Sequence, residues 1–355
     1  MCAQLEQDKE IELLRFTREN SDKDLEDYVD RADFIYHIAG VNRPKDETEF
    51  DTGNRDLTQN ILKLLSTANK STPLLLTSST QGELDNPYGK SKKAAEQAVF
   101  DWAKSSGAKA YVYRLPNVFG KWCRPNYNSV VATFCHNIAN NIDISINDPN
   151  KELNLVYIDD VIAEFAKALT ADVTVGDDGF CYIPRIFKLT LSALADKLYR
   201  FKESRATLLL PSLEEPIDRF LYATFISYLD KNDFGYELTT KSDERGWLAE
   251  FIKSRQFGQI FVSQTKPGYT RGIHWHHTKI EKFLVIEGEG TIKLRDYFSD
   301  KVIDYKVSGS TLRVVEMPAG YIHSIKNTGK TDLLLLIWAS EVFDPEHPDT
   351  YYQEV

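Results

Sequence analysis

The chain has 355 residues, 42% hydrophobic and 27% charged, a composition sufficient for two folded domains. Its formal net charge of −10 argues against a general nucleic-acid or membrane-surface binder, although a local basic pocket for a phosphate is compatible with it. There is no apolar run of 18 residues and no signal peptide, so we expect a cytoplasmic protein. The four cysteines are scattered and are expected to be reduced thiols.

The first half alternates short apolar segments with longer amphipathic ones, which is typical of a doubly wound, Rossmann-like α/β domain. The predicted strands are Glu12–Phe16, Phe34–Ala39, Leu74–Ser78 and Ala110–Arg114. The predicted helices are Asn54–Thr67, Pro87–Ala103 and Val130–Asn140. We expect this domain to span residues 1–231, with a mostly helical stretch at 190–229 that could cap it.

The second half changes to short strands punctuated by glycine, proline and asparagine, which predicts an all-β domain at residues 232–355. The predicted strands are Ile260–Gln264, Lys282–Ile286, Thr291–Arg295, Val314–Met317 and Leu333–Ala339. We see no internal repeat and no low-complexity tract.

A tyrosine and a lysine are spaced four residues apart at the start of one predicted helix. Tyr88 and Lys92 would share a helix face, and a nearby ammonium would lower the pKa of the phenol toward working pH. The preceding strand ends in hydroxyls, among them Ser79, which could hold a carbonyl oxygen. Proton transfer from tyrosine to a substrate oxygen is therefore expected.

These residues, with the segments Tyr113–Gly120 and Val156–Val161, resemble an extended short-chain dehydrogenase/reductase. The resemblance implies that Ser79, Tyr88 and Lys92 are catalytic, that Lys92 also contacts the nicotinamide ribose, and that Asn117 binds substrate. It further implies that the strand end of His37, Ala39 and Gly40 lines the cofactor. Arg18 stands where the family recognises the adenosine ribose, and an arginine there suits NADPH; a plain surface arginine is an equally good interpretation.

One element of that family is missing, namely the first strand with its glycine-rich, pyrophosphate-binding turn. The first glycine of the chain is Gly40. A start codon assigned too late and a genuine truncation both explain this, and we favour the former because the later motifs are intact.

Three histidines and one glutamate follow metal-ligand spacing in the second domain. His274 and His276 would point to one face of a strand, Glu281 follows on the next pass, and His323 comes from a later segment. This donor set suits zinc or another divalent ion such as iron, manganese or nickel. The segments beginning at Gly268 and Pro318 resemble the paired motifs of cupins, which implies a jelly-roll barrel with these four residues as ligands.

The segment Asp243–Phe251 resembles part of the nucleotide-sugar epimerases, and Arg245 could pair with a diphosphate. The chain as a whole resembles bifunctional capsular-polysaccharide enzymes that fuse a reductase to a cupin. The resemblance implies C3 epimerisation of a UDP-linked 4-keto-6-deoxy-2-acetamido-hexose, then reduction of its C4 ketone with NADPH, in a homodimer. His277, Lys282 and Tyr321 are the candidates for acid and base, with no choice among them. A metal-dependent cupin dioxygenase and a truncated, non-catalytic sugar-nucleotide binder are the alternatives.

Overall fold

The computed structural model describes all residues, 1–355, and divides them into two compact units. Unit 1 comprises residues 1–196 and 220–228, and unit 2 comprises residues 197–219 and 229–355. The helical stretch that was expected to cap the first domain is therefore shared between the two units. No helix has both the length and the apolar character needed to cross a membrane.

Unit 1 contains parallel strands alternating with helices. Its strands are β1 (Ile35–His37), β2 (Leu74–Ser79), β3 (Ala110–Leu115), β4 (Asn117–Phe119), β5 (Glu152–Tyr157) and β6 (Phe187–Thr190). Its helices are α1 (Cys2–Leu5), α2 (Asp22–Arg31), α3 (Thr48–Phe50), α4 (Leu57–Thr67), α5 (Pro87–Ser106), α6 (Val130–Ala139) and α7 (Ile158–Lys167). A π-helix, Asp51–Asp56, joins α3 to α4, and 3₁₀ turns lie at Thr80–Glu83 and Ala168–Thr170. Helices α8 (Leu191–Thr207) and α9 (Pro216–Ile226) each contribute residues to both units.

The parallel order β1-β2-β3 places apolar side chains on both faces of one sheet. Leu74 and Leu76 join the core formed with α2, α4 and α5, whereas Leu75 joins the core that includes α7. A second sheet has the order β4-β5-β6, with β6 antiparallel to β5. Helices on both faces of the parallel strands confirm the predicted doubly wound architecture.

The strand predicted at Glu12–Phe16 is wrong, because residues 11–17 form neither helix nor strand. The three-stranded sheet ends at β1, so this segment has no neighbouring strand with which to form a hydrogen-bonded ladder. The other predicted strands and helices of this half are present, with ends shifted by a few residues.

Apart from its parts of α8 and α9, unit 2 is built from two β-sheets. Its strands are β7 (Leu209–Leu210), β8 (Thr240–Asp243), β9 (Gly246–Ser254), β10 (Gly258–Thr265), β11 (Thr270–Trp275), β12 (Glu281–Glu287), β13 (Glu289–Asp296), β14 (Val302–Ser308), β15 (Val314–Met317), β16 (Tyr321–Asn327), β17 (Leu333–Ala339) and β18 (Tyr351–Tyr352). One sheet has the order β15-β12-β17-β10-β9-β7, with β8 beside β9, and the other has the order β14-β13-β16-β11-β18. Both sheets contribute apolar side chains to one core, which is the arrangement of a cupin barrel.

Candidate active site and metal centre

The predicted catalytic residues of unit 1 surround one cavity at the carboxyl end of β2. The cavity has a volume of about 430 Å³, and Ser79, Tyr88 and Lys92 line it. Helix α5 presents Tyr88 and Lys92 because it begins at Asn86, whose side chain accepts a hydrogen bond from the Gly89 amide. The spacing of four residues then places both side chains on the helix face toward the strand end.

Lys92 is buried at the back of this cavity. Its Nζ donates to the carbonyl oxygen of Thr77 at 3.2 Å. Burial lowers the pKa of the ammonium to about 8, although the nearby carboxylate of Glu96 acts in the opposite direction. Lys92 thus retains a proton at neutral pH but holds it weakly.

The pKa of Tyr88 differs from the sequence-based expectation. Burial raises it, and a hydrogen bond with Ser79 offsets only part of that rise. The expected lowering of this pKa is therefore wrong, because burial of the phenol outweighs the interaction that favours the phenolate. At neutral pH Tyr88 is thus a protonated phenol beside the Ser79 hydroxyl, which is suited to donating a proton.

Asn54 is a cavity-supporting residue that sequence reasoning missed. Its Oδ1 accepts from the Val41 amide and its Nδ2 donates to the Val41 carbonyl, both at 2.9 Å. The same Nδ2 donates to Ser91 Oγ at 3.0 Å. Asn54 therefore ties the loop after β1 to α5, and it does so from within a π-helix that the sequence pattern did not predict.

The three residues predicted to line the cofactor at the end of β1, His37, Ala39 and Gly40, differ in burial. His37 is buried, lies 2.9 Å from Thr58 Oγ1 through Nε2, and has its pKa lowered to about 4 by burial, so its imidazole is neutral. Gly40 lines the cavity, whereas Ala39 is exposed and is not among its lining residues. Asn117 lines the cavity from β4. Arg18 lies in an exposed turn and does not line it.

The cavity fits the nicotinamide end of a dinucleotide. A Cβ on Gly40 would lie 2.9 Å from both Asn54 Oδ1 and Lys92 Nζ, so a side chain there would fill the space beside the lysine. Gly40, Ser79, Tyr88 and Lys92 are the residues that would contact the nicotinamide and its ribose. The glycine-rich turn that cradles a pyrophosphate is absent from the sequence.

The four predicted metal ligands of unit 2 converge on one point. The donor atoms of His274, His276, Glu281 and His323 all lie within 4.8 Å of one another. Strand pairing produces this convergence, since His274 lies opposite His323 on β11 and β16 while Glu281 begins β12. A bulge at Ile273, which has a φ of 67°, sets the direction of His274.

Two nitrogen atoms of the cluster are buried and form no hydrogen bond. Nε2 of His276 and Nε2 of His323 are buried and form no hydrogen bond, although carboxylate oxygens of Glu281 lie 3.7 and 3.2 Å from them. Burial lowers the pKa of His274 to about 4, so its imidazole is neutral. Burial also raises the pKa of Glu281, but the facing imidazoles outweigh it and hold that pKa well below its usual range. Three imidazoles around a carboxylate fit a divalent ion such as zinc.

The three candidates for acid and base occupy different positions. Tyr321 lies two residues before His323 on β16 and packs against the barrel core. His277 is exposed and packs against Trp275 and Tyr351. Lys282 is exposed, next to inward-facing Glu281 on β12, and its Nζ lies 2.6 Å from Glu316 Oε1. Only Tyr321 shares a strand face with a predicted ligand.

Arg245 belongs to a small charged cluster at the edge of unit 2. Its guanidinium donates to the carboxylate of Asp243, which lowers the pKa of that carboxyl to about 2. Arg271, which sequence reasoning missed, donates to the same carboxylate at 3.3 Å from β11. Its Nε is buried without a partner. Two guanidiniums share the Asp243 carboxylate, and the Glu244 carboxylate also interacts with both of them. Their remaining N–H groups are donors suited to an anion.

Both units are similar to known protein families. Residues 2–179 match the NAD dependent epimerase/dehydratase family, and residues 241–351 match the Polysaccharide biosynthesis C-terminal domain. The crystal structure of the capsular polysaccharide assembling protein CapF of Staphylococcus aureus superposes with a TM-score of 0.89 and 47% identity, covering 95% of this chain and 91% of that one. The chain is a CapF-like member of the NAD dependent epimerase/dehydratase family. The predicted resemblance to capsular-polysaccharide enzymes is confirmed.

Two further proteins extend this comparison. UDP-2-acetamido-2,6-beta-L-arabino-hexul-4-ose reductase of Pseudomonas aeruginosa is 42% identical over 351 residues, which are 99% of this CapF-like chain and 94% of the reductase. UDP-glucuronic acid 4-epimerase of Bacillus cereus in complex with NAD is 18% identical, with a TM-score of 0.51 over 63% of this chain and 82% of the epimerase. The latter supports the Rossmann-like fold of the first half alone.

Proposed function

We propose that this CapF-like chain is a bifunctional nucleotide-sugar enzyme. It inverts C3 of a UDP-2-acetamido-2,6-dideoxy-4-hexulose and then reduces the C4 ketone with NADPH, giving UDP-N-acetyl-6-deoxy-L-talosamine for capsular polysaccharide. The observation that carries the proposal is the presence in one chain of a Ser79–Tyr88–Lys92 cavity and a separate His₃Glu cluster. The 42% identity to a reductase of a UDP-linked hexul-4-ose supports this substrate class.

In the reduction, the side chains of unit 1 position the ketone and supply one proton. When bound, the nicotinamide supplies the hydride that reaches C4. The Ser79 hydroxyl donates to the C4 oxygen, and the Tyr88 phenol gives its proton to that oxygen as the carbonyl becomes an alcohol. The Lys92 ammonium, buried behind the cavity, stabilises the phenolate that Tyr88 leaves.

In the epimerisation, a base removes the proton at C3 and an acid returns a proton to the opposite face. The C3–H is acidic because it is adjacent to the C4 ketone, and the electrons move onto the ketone oxygen as an enolate. A divalent ion held by His274, His276, Glu281 and His323 supplies positive charge in the barrel. Tyr321 is the candidate proton carrier that shares a strand face with these ligands.

The chemistry fixes the order of the two reactions. Reduction of the C4 ketone removes the acidity of C3–H, so epimerisation must precede reduction. The two-guanidinium cluster of Arg245 and Arg271 is a candidate contact for the diphosphate of the nucleotide. We further expect the working form to be a cytoplasmic homodimer.

The test separates the two reactions by variant and by readout. The purified protein is incubated with the 4-keto sugar nucleotide in D₂O, with and without NADPH, and deuterium at C3 and NADPH oxidation are recorded. Tyr88→Phe is expected to abolish NADPH oxidation and to leave deuterium exchange unchanged. Loss of both activities in a folded Tyr88→Phe protein would contradict the two-site proposal, and oxygen uptake would indicate a dioxygenase instead.

A further inference from the structure

The carboxyl-terminal segment of the chain lies against the loop that carries the predicted metal ligands. The loop, residues 277–280, connects His274 and His276 on one side to Glu281 on the other. Strand β18 pairs antiparallel with β11, so that Tyr351 lies opposite Trp275. Gln353 donates through its backbone amide to the Ile273 carbonyl at 3.2 Å. The segment is therefore held beside the ligand strand.

Asp349 is the centre of this contact. Its carboxylate accepts hydrogen bonds from three consecutive backbone amides, those of His277 at 2.8 Å and of Thr278 and Lys279 at 3.0 Å each. Thr278 Oγ1 adds a fourth bond at 3.1 Å. Three amides directed at one carboxylate hold the loop in one conformation while the carboxylate is in place.

The same residue also contacts a ligand directly. The backbone carbonyl of Asp349 accepts a hydrogen bond from His276 Nδ1. A carbonyl oxygen can only accept, so Nδ1 of His276 is the donor, and in the neutral ring the lone pair is on Nε2. That Nε2 is buried, forms no hydrogen bond and faces Glu281. The other ring nitrogen of a metal-binding histidine usually has such a partner.

We propose that Asp349 is the positioning residue of the metal centre. Its carboxylate fixes the loop between the ligand strands, and its carbonyl fixes the tautomer of His276 with Nε2 directed at the ion. This inference rests on the proposed metal centre. It can be tested without any substrate. Nothing in the sequence pattern of the ligands points to Asp349, which lies 73 residues from His276.

The experiment compares zinc binding by variants of the full-length protein. Asp349→Ala is expected to weaken zinc affinity by about 10–100-fold in competition with a chromophoric chelator. Its bound Co²⁺ should also give an altered visible spectrum. Asp349→Asn retains one acceptor oxygen and should fall between the wild type and Asp349→Ala. The matched control is Asp344→Ala, because the Asp344 carboxylate contacts only Glu346 and His347 within the same exposed segment.

A second measurement does not depend on metal. Long-range ¹H–¹⁵N spectra of protein labelled at its seven histidines report the tautomer of each neutral ring. The Nδ1–H form of His276 should dominate in the metal-free wild type. Asp349→Ala keeps the backbone carbonyl but removes the carboxylate that holds it beside the loop, so the Nδ1–H form should lose that dominance. Absence of zinc binding by the wild type would reject the metal centre. The tautomer measurement would still show whether Asp349 orients the His276 ring.

The inference is overturned if Asp349→Ala binds zinc as tightly as the wild type and keeps the same His276 tautomer. Should Asp349→Ala fail to fold, the same two results in folded Asp349→Asn overturn it equally. A purely structural role would lower the thermal stability of both variants without moving the tautomer or the Co²⁺ spectrum.

Discussion

Glu96 and Lys92 lie four residues apart on α5, so a buried carboxylate and a buried ammonium share one helix face behind the cavity. Glu96 raises the pKa of Lys92, but burial lowers it more, to about 8. Glu96 also accepts from Ser78 and forms a bidentate pair with Arg114. The carboxyl end of β2 is thus supported by a charge network of buried side chains.

Removing the lysine charge should stabilise the protein without nucleotide. The folded-state pKa of about 8 lies below the ordinary 10.5, so between these values the unfolded chain binds more protons and wild-type stability rises with pH. Lys92→Met removes that penalty but leaves the Thr77 carbonyl without its donor. At neutral pH we expect a gain of roughly 2 kcal/mol in urea unfolding, with catalysis lost.

The same comparison has a clear pH signature. The gain from Lys92→Met should shrink as pH rises through about 8 and toward 10.5, where wild-type Lys92 becomes neutral in both states. Lys90→Met is the control, since Lys90 is exposed on the same helix and pairs only with exposed Asp85. A stability gain that is constant across this pH range would be inconsistent with a buried, destabilising ammonium.

The two glutamates that contact Arg114 should differ widely in their contribution to stability. The Glu96 side chain is 3% exposed and that of Glu83 is 72% exposed, although each has a carboxylate within 3.0 Å of the same guanidinium. Glu96→Gln leaves Arg114 partly unpaired and should cost about 3 kcal/mol. Glu83→Gln should cost less than about 1 kcal/mol. Equal effects in denaturant unfolding would contradict the burial argument.

Much of the fold and the ligand set was predictable because both depend on local spacing. Alternation of strands and helices indicated unit 1, and two histidines separated by one residue indicated a common strand face in unit 2. The strand predicted at Glu12–Phe16 failed because a strand requires a neighbour, which apolar periodicity does not reveal. The lowered pKa predicted for Tyr88 failed because the burial of its phenol is set by tertiary packing.

The residues that sequence reasoning missed act across long separations. Asn54 contacts Ser91, 37 positions away, and Arg271 contacts Asp243, 28 positions away. Neither belongs to a motif of its own, so only the packed structure brings each beside its partner. Supporting residues of this kind are the part of a site that spacing alone does not specify.

Asn54 should be required for both stability and activity. Asn54→Ala leaves the Val41 amide and carbonyl without partners, which should cost about 2 kcal/mol. Because the loop at Gly40 and Val41 lines the cavity, affinity for NADPH should also fall. Asn60→Ala, at an exposed position of α4, is the control and should change neither. Unaltered NADPH affinity in a destabilised Asn54→Ala protein would restrict this residue to a structural role.

Metal removal should affect unit 2 selectively. The buried Nε2 atoms of His276 and His323 face the Glu281 carboxylate, and an ion bound there only in the folded chain stabilises it by mass action. At zinc concentrations about a thousandfold above the dissociation constant, this amounts to about 4 kcal/mol. Excess EDTA should therefore lower the melting temperature, and Glu281→Gln should abolish both the zinc content measured by mass spectrometry and this response to EDTA. His347→Ala, which removes an exposed imidazole outside the cluster, should retain both. A Glu281→Gln protein that still holds one equivalent of zinc would show that the metal binds elsewhere. The wild type, Glu281→Gln and His347→Ala should bind NADPH equally, because the metal ligands belong to unit 2 and the nicotinamide cavity to unit 1.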